Sequence, residues 1–110
     1  MKVVVKNVGE EPKVVKIDGK LKTMQDIVGG YIQTFPWFDR IIIVCNEEGK
    51  LMDLPENFKV RCSPSYVETI VGNVFFCKAG NEDFESLTDE EIKIIIDDFA
   101  RIEKALNNTM

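Results

Sequence analysis

The sequence predicts an α+β fold: a small mixed or antiparallel sheet of about five to six strands, with two short helices and one longer C-terminal helix packed on it. Three observations predict it. Short β-branched and aromatic runs recur between turn residues, as in "KVVVK" (2–6), "RIIIVCN" (40–46) and "NVFFCKA" (73–79). Two stretches with helical spacing each end in Ile-Val-Gly, at 27–29 and 70–72. From Thr88 onward, apolar residues return at three- and four-residue steps.

"KVVVK" (2–6) and "KVVKI" (13–17) flank "NVGEEP", whose Gly9 and Pro12 mark a turn, so a hairpin is expected. Val3 and Val5 lie on one face of its first strand, and Lys2, Val4 and Lys6 on the other. Asp18-Gly19 ends the second strand. Thr23 offers a helix cap with Asp26 three residues on, and Met24, Ile27 and Val28 form a short stripe before Gly29. "YIQTF" (31–35) reads as a strand broken by Pro36, and residues 40–46 as a central strand that turns out through "EEGK". Residues 51–63 are irregular, with room for a short strand at 58–62. Ser65 with Glu68 makes a capping box before Val67, Ile70 and Val71, which predicts a second short helix. A strand follows at 73–79 and a short one at 84–86.

The final helix is capped by Thr88 with Glu91 completing the box, while Leu87 and Ile92 occupy the two positions of a hydrophobic staple. Ile92, Ile95, Ile96, Phe99, Ile102 and Leu106 fall in one arc, with Glu103 inside it. Lys93, Asp97, Arg101 and Lys104 face away, and Ile94 stands among them.

At 110 residues the chain is the size of one domain, 1–110, and can bury roughly 65% of its unfolded surface, enough for a core without disulfides or metal. No apolar stretch approaches the ~18 residues needed to cross a bilayer, and the Lys-Val alternation at the start is unlike a signal peptide. Cys45, Cys62 and Cys77 are odd in number and set among apolar residues, the usage of a reducing compartment, so a cytoplasmic location is expected. The net charge of −5 is unevenly spread. Residues 1–40 carry seven Lys+Arg and five Asp+Glu, whereas residues 81–110 carry three and nine. That acidic balance makes direct nucleic-acid binding unlikely and favours a protein partner.

A phosphate cradle needs a strand, then glycines, then a helix, because free N–H groups point out of a helix N-terminus. Gly29 and Gly72 stand in the reverse order, so they read as chain-turning stops. "DGKL" (18–21) and "EGKL" (48–51) precede the two Ile-Val-Gly segments, which suggests a duplicated unit. A small shared vocabulary of turns and stops explains the same matches and is preferred.

The chain has no histidine and no Cys-x-x-Cys spacing, which removes the usual nucleophilic triads and His metal sites. "NEDFE" (81–85) lacks the ligand alternation of a calcium loop. No acidic pair stands out for catalysis, and no cofactor is expected. The candidate partner-binding residues are Trp37 and Phe38 in "FPWFDR", with Ile94, Asp97 and Asp98 on the last helix. For the aromatic segment itself, a loop folded over the open end of the core is the preferred reading. The lysines of the first hairpin either face water or oppose the acidic C-terminal segment.

Several stretches resemble the family known as Domain of Unknown Function 3846: "MKVVVKNVGEEPKVVKIDG", "MQDIVGGYI" (24–32), "NEEGKLMDLPEN" (46–57), "IVGNVFF" (70–76) and "ESLTDEEI" (85–92). The resemblance brings no catalytic residues. It implies a small α+β fold in accessory proteins of bacterial phages and mobile elements.

The reading that emerges is a non-enzymatic protein that binds a host or phage macromolecule, in a counter-defence or takeover role. The alternative is a small-ligand binder that sequesters a nucleotide-like molecule. Self-association into a homodimer is a further expectation to test.

Overall fold

Strands that are apolar on both faces must be covered on both sides, and this requirement organises the molecule. In the computed structural model, which describes the backbone of residues 1–109 and the side chains of residues 1–101, the elements run β1 (Lys2–Lys6), β2 (Lys13–Lys16), α1 (Leu21–Val28), β3 (Ile32–Phe38), β4 (Ile41–Asn46), β5 (Glu56–Ser63), β6 (Tyr66–Val71), β7 (Val74–Ala79), β8 (Phe84–Glu85) and α2 (Asp89–Thr109). The main sheet has six strands, in the order β2-β1-β7-β4-β3, with β8 paired to β7. All its pairings are antiparallel. β5 and β6 form a separate two-stranded hairpin.

The register puts Phe76 between Val4 and Ile43, and Phe75 between Val5 and Val44. Successive residues point to opposite faces, so these two phenylalanines seed two different cores. Val3, Val5, Val44, Phe75 and Cys77 meet Met24 and Val28 of α1. Val4, Ile41, Ile43, Val74 and Phe76 meet Leu87, Ile92 and Ile95 beneath α2, together with Ile70 of the hairpin. The result is three layers: α1, the sheet, and a layer shared by α2 and the β5–β6 hairpin.

Phe76 is the hub of the second core. Its ring meets Trp37 at 5.3 Å, Phe58 at 5.9 Å and Phe99 at 5.8 Å, one from each of β3, β5 and α2. Such aromatic pairs contribute about 0.5–1.5 kcal/mol each beyond their buried area.

The last helix forms as its sequence dictates. Thr88 Oγ1 accepts from Glu91 N at 3.2 Å, and Glu91 Oε1 accepts from Thr88 N at 2.8 Å. The strand lysines meet this acidic end. Lys2 Nζ lies 3.2 Å from Asp89 and Lys78 Nζ lies 3.3 Å from Glu91. Burial pushes the Glu91 carboxyl upward, but the hydrogen bonds from Thr88 and Lys78 outweigh it and hold the group below its ordinary range. The predicted positions of Ile102, Glu103, Lys104 and Leu106 lie outside the described side chains.

Three expectations are corrected. The first helix begins at Leu21, two residues before the expected cap, with Thr23 inside it. Asp18 acts upstream instead: its Oδ1 accepts from Lys20 N at 2.9 Å, and Asp26 pairs with Lys22. Pro36 does not break β3, which continues to Phe38 as an edge strand with a register shift at Pro36–Phe38. A proline is tolerated at an edge because no further strand needs its missing N–H, and it discourages a new one from pairing there.

The third correction is the largest. Residues 66–71 are a strand, not a helix, so the described residues hold one short helix, and Ser65 and Glu68 cap nothing. Ser65 ends the β5–β6 connection, and Glu68 pairs across the hairpin with Val60. Four of the six residues of β6 are β-branched, and Ile70 is buried between hairpin and sheet. This also removes the duplication, since the second unit has a hairpin where the first has a helix.

Gly29 (φ 80) and Gly72 (φ 75) both adopt the left-handed conformation. Gly29 ends α1, as expected, and Gly72 turns β6 into β7. Their amides are spent within the chain: Gly29 N and Gly30 N donate to Gln25 O, and Gly72 N donates to Pro55 O. No amide nest for phosphate forms at either place.

Candidate functional site

The five sequence-predicted residues do not form one surface. Along β3, Phe35 and Trp37 turn inward and pack on the second core, so Trp37 is a core side chain. Phe38 points the other way and is 56% exposed. Ile94 is 38% exposed on α2. Asp97 is bonded to Lys93 at 3.3 Å and Asp98 to Arg101 at 2.6 Å, so both acids are spent on exposed pairs within their own helix.

A different region concentrates exposed apolar area. It is built around Asn46, a buried polar residue at the end of β4. Asn46 Nδ2 donates to Val28 O at 3.2 Å, satisfying a carbonyl that the end of α1 leaves without a helical partner. Its Oδ1 accepts from Glu48 N at 2.8 Å and starts the turn. Gly30 allows this approach, because a Cβ there would lie 2.8 Å from Asn46 Nδ2.

The loop beyond is tied to itself. Gly49 N donates to Asn46 O, Met52 N to Glu48 O, Asp53 N to Lys50 O and Leu54 N to Gly49 O, at 2.9–3.2 Å. Leu54 turns inward against Gly49 and Gly72. That leaves Leu51 87% and Met52 51% exposed, and Tyr31, which shares a cleft with Met52, 66% exposed. The cleft holds about 430 Å³ and is bounded by Gly29, Gly30, Asn46 and Glu48. A second, of about 220 Å³, lies on the other side of the loop between β3 and β6, and includes Leu51, Cys45 and Glu68.

Glu47, Glu48 and Asp53 are exposed residues of the same loop, Glu47 beside Leu51 and Glu48 beside Met52 in the two clefts, and the carbonyl end of α1 borders the Met52 cleft. The single basic residue of the loop, Lys50, is occupied by Glu68 at 2.7 Å. Glu68 also accepts from the Tyr66 hydroxyl. Lys50 first and Tyr66 second hold the Glu68 carboxyl below its ordinary range, which makes it a weak base. Burial pushes the Cys45 thiol up, with Glu68 adding to it, and pushes Cys77 to about 12. Both thiols are therefore protonated at neutral pH and poor nucleophiles. Among the described residues, no group of three or more Cys, Asp or Glu could hold a metal ion.

Sequence reasoning missed Tyr31 because it reads as the first residue of a strand that in fact begins at Ile32, and missed Leu51 and Met52 because neither sits in a periodic apolar stripe. The available signal was their setting: two large apolar residues between a turn and Pro55, in a stretch with no face to bury them.

The family model described as "Domain of unknown function (DUF3846)" matches residues 1–100, and the chain belongs to that family. No curated protein and no solved structure matches the chain. No helix among the described residues is long and apolar enough to cross a membrane.

Proposed function

We propose that the protein acts by binding rather than catalysis, docking a basic segment with apolar side chains from a macromolecular partner onto Tyr31, Leu51 and Met52. The observation that carries this reading is the exposure of Leu51 at 87% beside Met52 at 51% on a loop fixed by its own hydrogen bonds. A loop backbone held by its own hydrogen bonds loses little entropy on binding, and exposed large apolar side chains rimmed by polar groups mark interaction sites. The acids around the patch favour a cationic partner and speed its approach.

In the setting that the family resemblance implies, phages and mobile elements of bacteria, this is the work of an accessory protein that occupies a basic surface of a host or phage protein. The loop falls within "NEEGKLMDLPEN", one of the stretches that carries the resemblance.

The test is capture from bacterial lysate by the wild-type protein and by the Leu51→Asp/Met52→Asp variant, after an amide spectrum has confirmed that the variant is folded. A partner recovered by the wild type should fall at least about tenfold with the variant, a loss of ~1.4 kcal/mol. Its recovery should also weaken as salt shortens the range of the acidic rim. Equal recovery by both proteins contradicts the proposal.

A further inference from the structure

A larger cleft, of about 720 Å³, opens between the β1–β2 turn, β5 and α2. Its volume falls within the roughly 300–1,000 Å³ of small-molecule sites. Phe58 and Phe99 give it apolar walls, and Lys6 lies within it. Lys6 is only 8% exposed. Its Nζ donates to Asn7 O at 2.9 Å and to Asn57 Oδ1 at 3.1 Å, and lies 5.8 Å from the centre of the Phe99 ring. Both acceptors are neutral, and no carboxylate lies within ion-pair distance among the described residues. An ammonium has three N–H groups, so one is uncommitted among the described residues.

Buried lysines are rarely left without a counter-charge. This one is also held in place. Asn57 Nδ2 donates to Lys6 O at 2.8 Å and to Gly72 O at 2.7 Å, which fixes Asn57 Oδ1 against the ammonium. The other charged groups of the cleft disfavour a highly charged anion. Glu10, Glu11 and Glu56 stand there, with Glu56 tied to Lys59 at 2.6 Å and Glu10 3.6 Å from Lys13. A polyphosphate would meet net repulsion, whereas a single carboxylate is matched by one buried cation.

We propose that this cleft binds a small organic acid with one carboxylate on an aromatic or aliphatic body, the carboxylate on Lys6 Nζ and the body along Phe58 and Phe99. The site is separate from the loop surface, so either proposal can fail alone. Burial lowers the Lys6 pKa, with Glu10 opposing, and a bound carboxylate reverses that shift.

The test is a titration of the isotope-labelled full chain with phenylacetate and octanoate, followed by nuclear magnetic resonance. Saturable shifts are expected at the Asn57 side-chain amide and at Phe58 and Phe99. 2-Phenylethanol, which has the aromatic body without the charge, should bind at least about tenfold more weakly to the unaltered protein, as should phenylacetate to Lys6→Met. ATP should leave these signals in place. Equal binding of phenylacetate and 2-phenylethanol overturns the proposal, as does a larger response to ATP or no saturable shift with either acid.

Discussion

Residues 27–29 and 70–72 carry the same three letters, Ile-Val-Gly, yet one set ends a helix and the other ends a strand. Both glycines turn the chain with nearly the same backbone angle, φ 80 and φ 75. What precedes them differs in composition and in neighbours. α1 carries lysine, threonine, glutamine and aspartate between its apolar residues, and sets Met24 and Val28 against one face of the sheet. β6 is dense in β-branched residues and has a partner strand immediately upstream, β5, whose Phe58 and Val60 pack on the same core as Ile70. A glycine stop reports that the chain turns, and pairing with a neighbouring strand decides what is turned.

The comparison breaks or sharpens with three variants. Ile70→Ala should have the largest effect, about 2–5 kcal/mol of stability by denaturant unfolding, because Ile70 is buried between hairpin and sheet. A loss under about 1 kcal/mol would mean that β6 does not pack there. Gly72→Ala should come next. The left-handed angle alone costs about 1–2 kcal/mol, and the new Cβ would lie 2.8 Å from Leu54 Cδ1. Gly29→Ala meets open space and should lose the angle cost only, so the two glycines should rank in that order.

The two capping boxes give a smaller contrast. Thr88→Ala should cost about 1 kcal/mol, whereas Ser65→Ala should stay within ~0.5 kcal/mol, since Ser65 caps no helix. Equal losses would restore a helix at 66–71.

Glu91 supplies the pH dependence. Its native carboxyl is held below the ordinary value of 4.5, so its contribution is full above that pH and fades as pH falls through the lowered native value. The stability advantage of the wild type over Glu91→Gln should therefore shrink with acidification below pH 4.5, as followed by thermal unfolding. A constant difference would mean that Thr88 and Lys78 do not hold the charged form.

These contrasts also explain what the sequence made legible. β4 and β7 were readable as strands because their apolar, β-branched and aromatic runs have no polar face, and β1 because its valines sit next to a turn signal. α2 was readable because cap, staple and stripe agree. Residues 65–71 misled because Ser65 and Glu68 imitate the same local signal, worth about 1 kcal/mol, which the pairing with β5 outweighs. Pro36 looked like a break because edge position is a property of the whole sheet. Trp37 could have been placed inward from its alternation with Phe35. The setting of Leu51 and Met52 hinted at exposure, but only the folded loop shows that nothing of the described chain covers them.

The most direct test of the binding account compares this loop with the helix face that the sequence first suggested. Amide hydrogen exchange of the protein, alone and saturated with the captured partner, reads both at once. Slowed exchange at residues 29–31 and 47–54, with little change around Ile94, Asp97 and Asp98, is the predicted result. Protection confined to α2, with the 47–54 loop exchanging as freely as before, would contradict it.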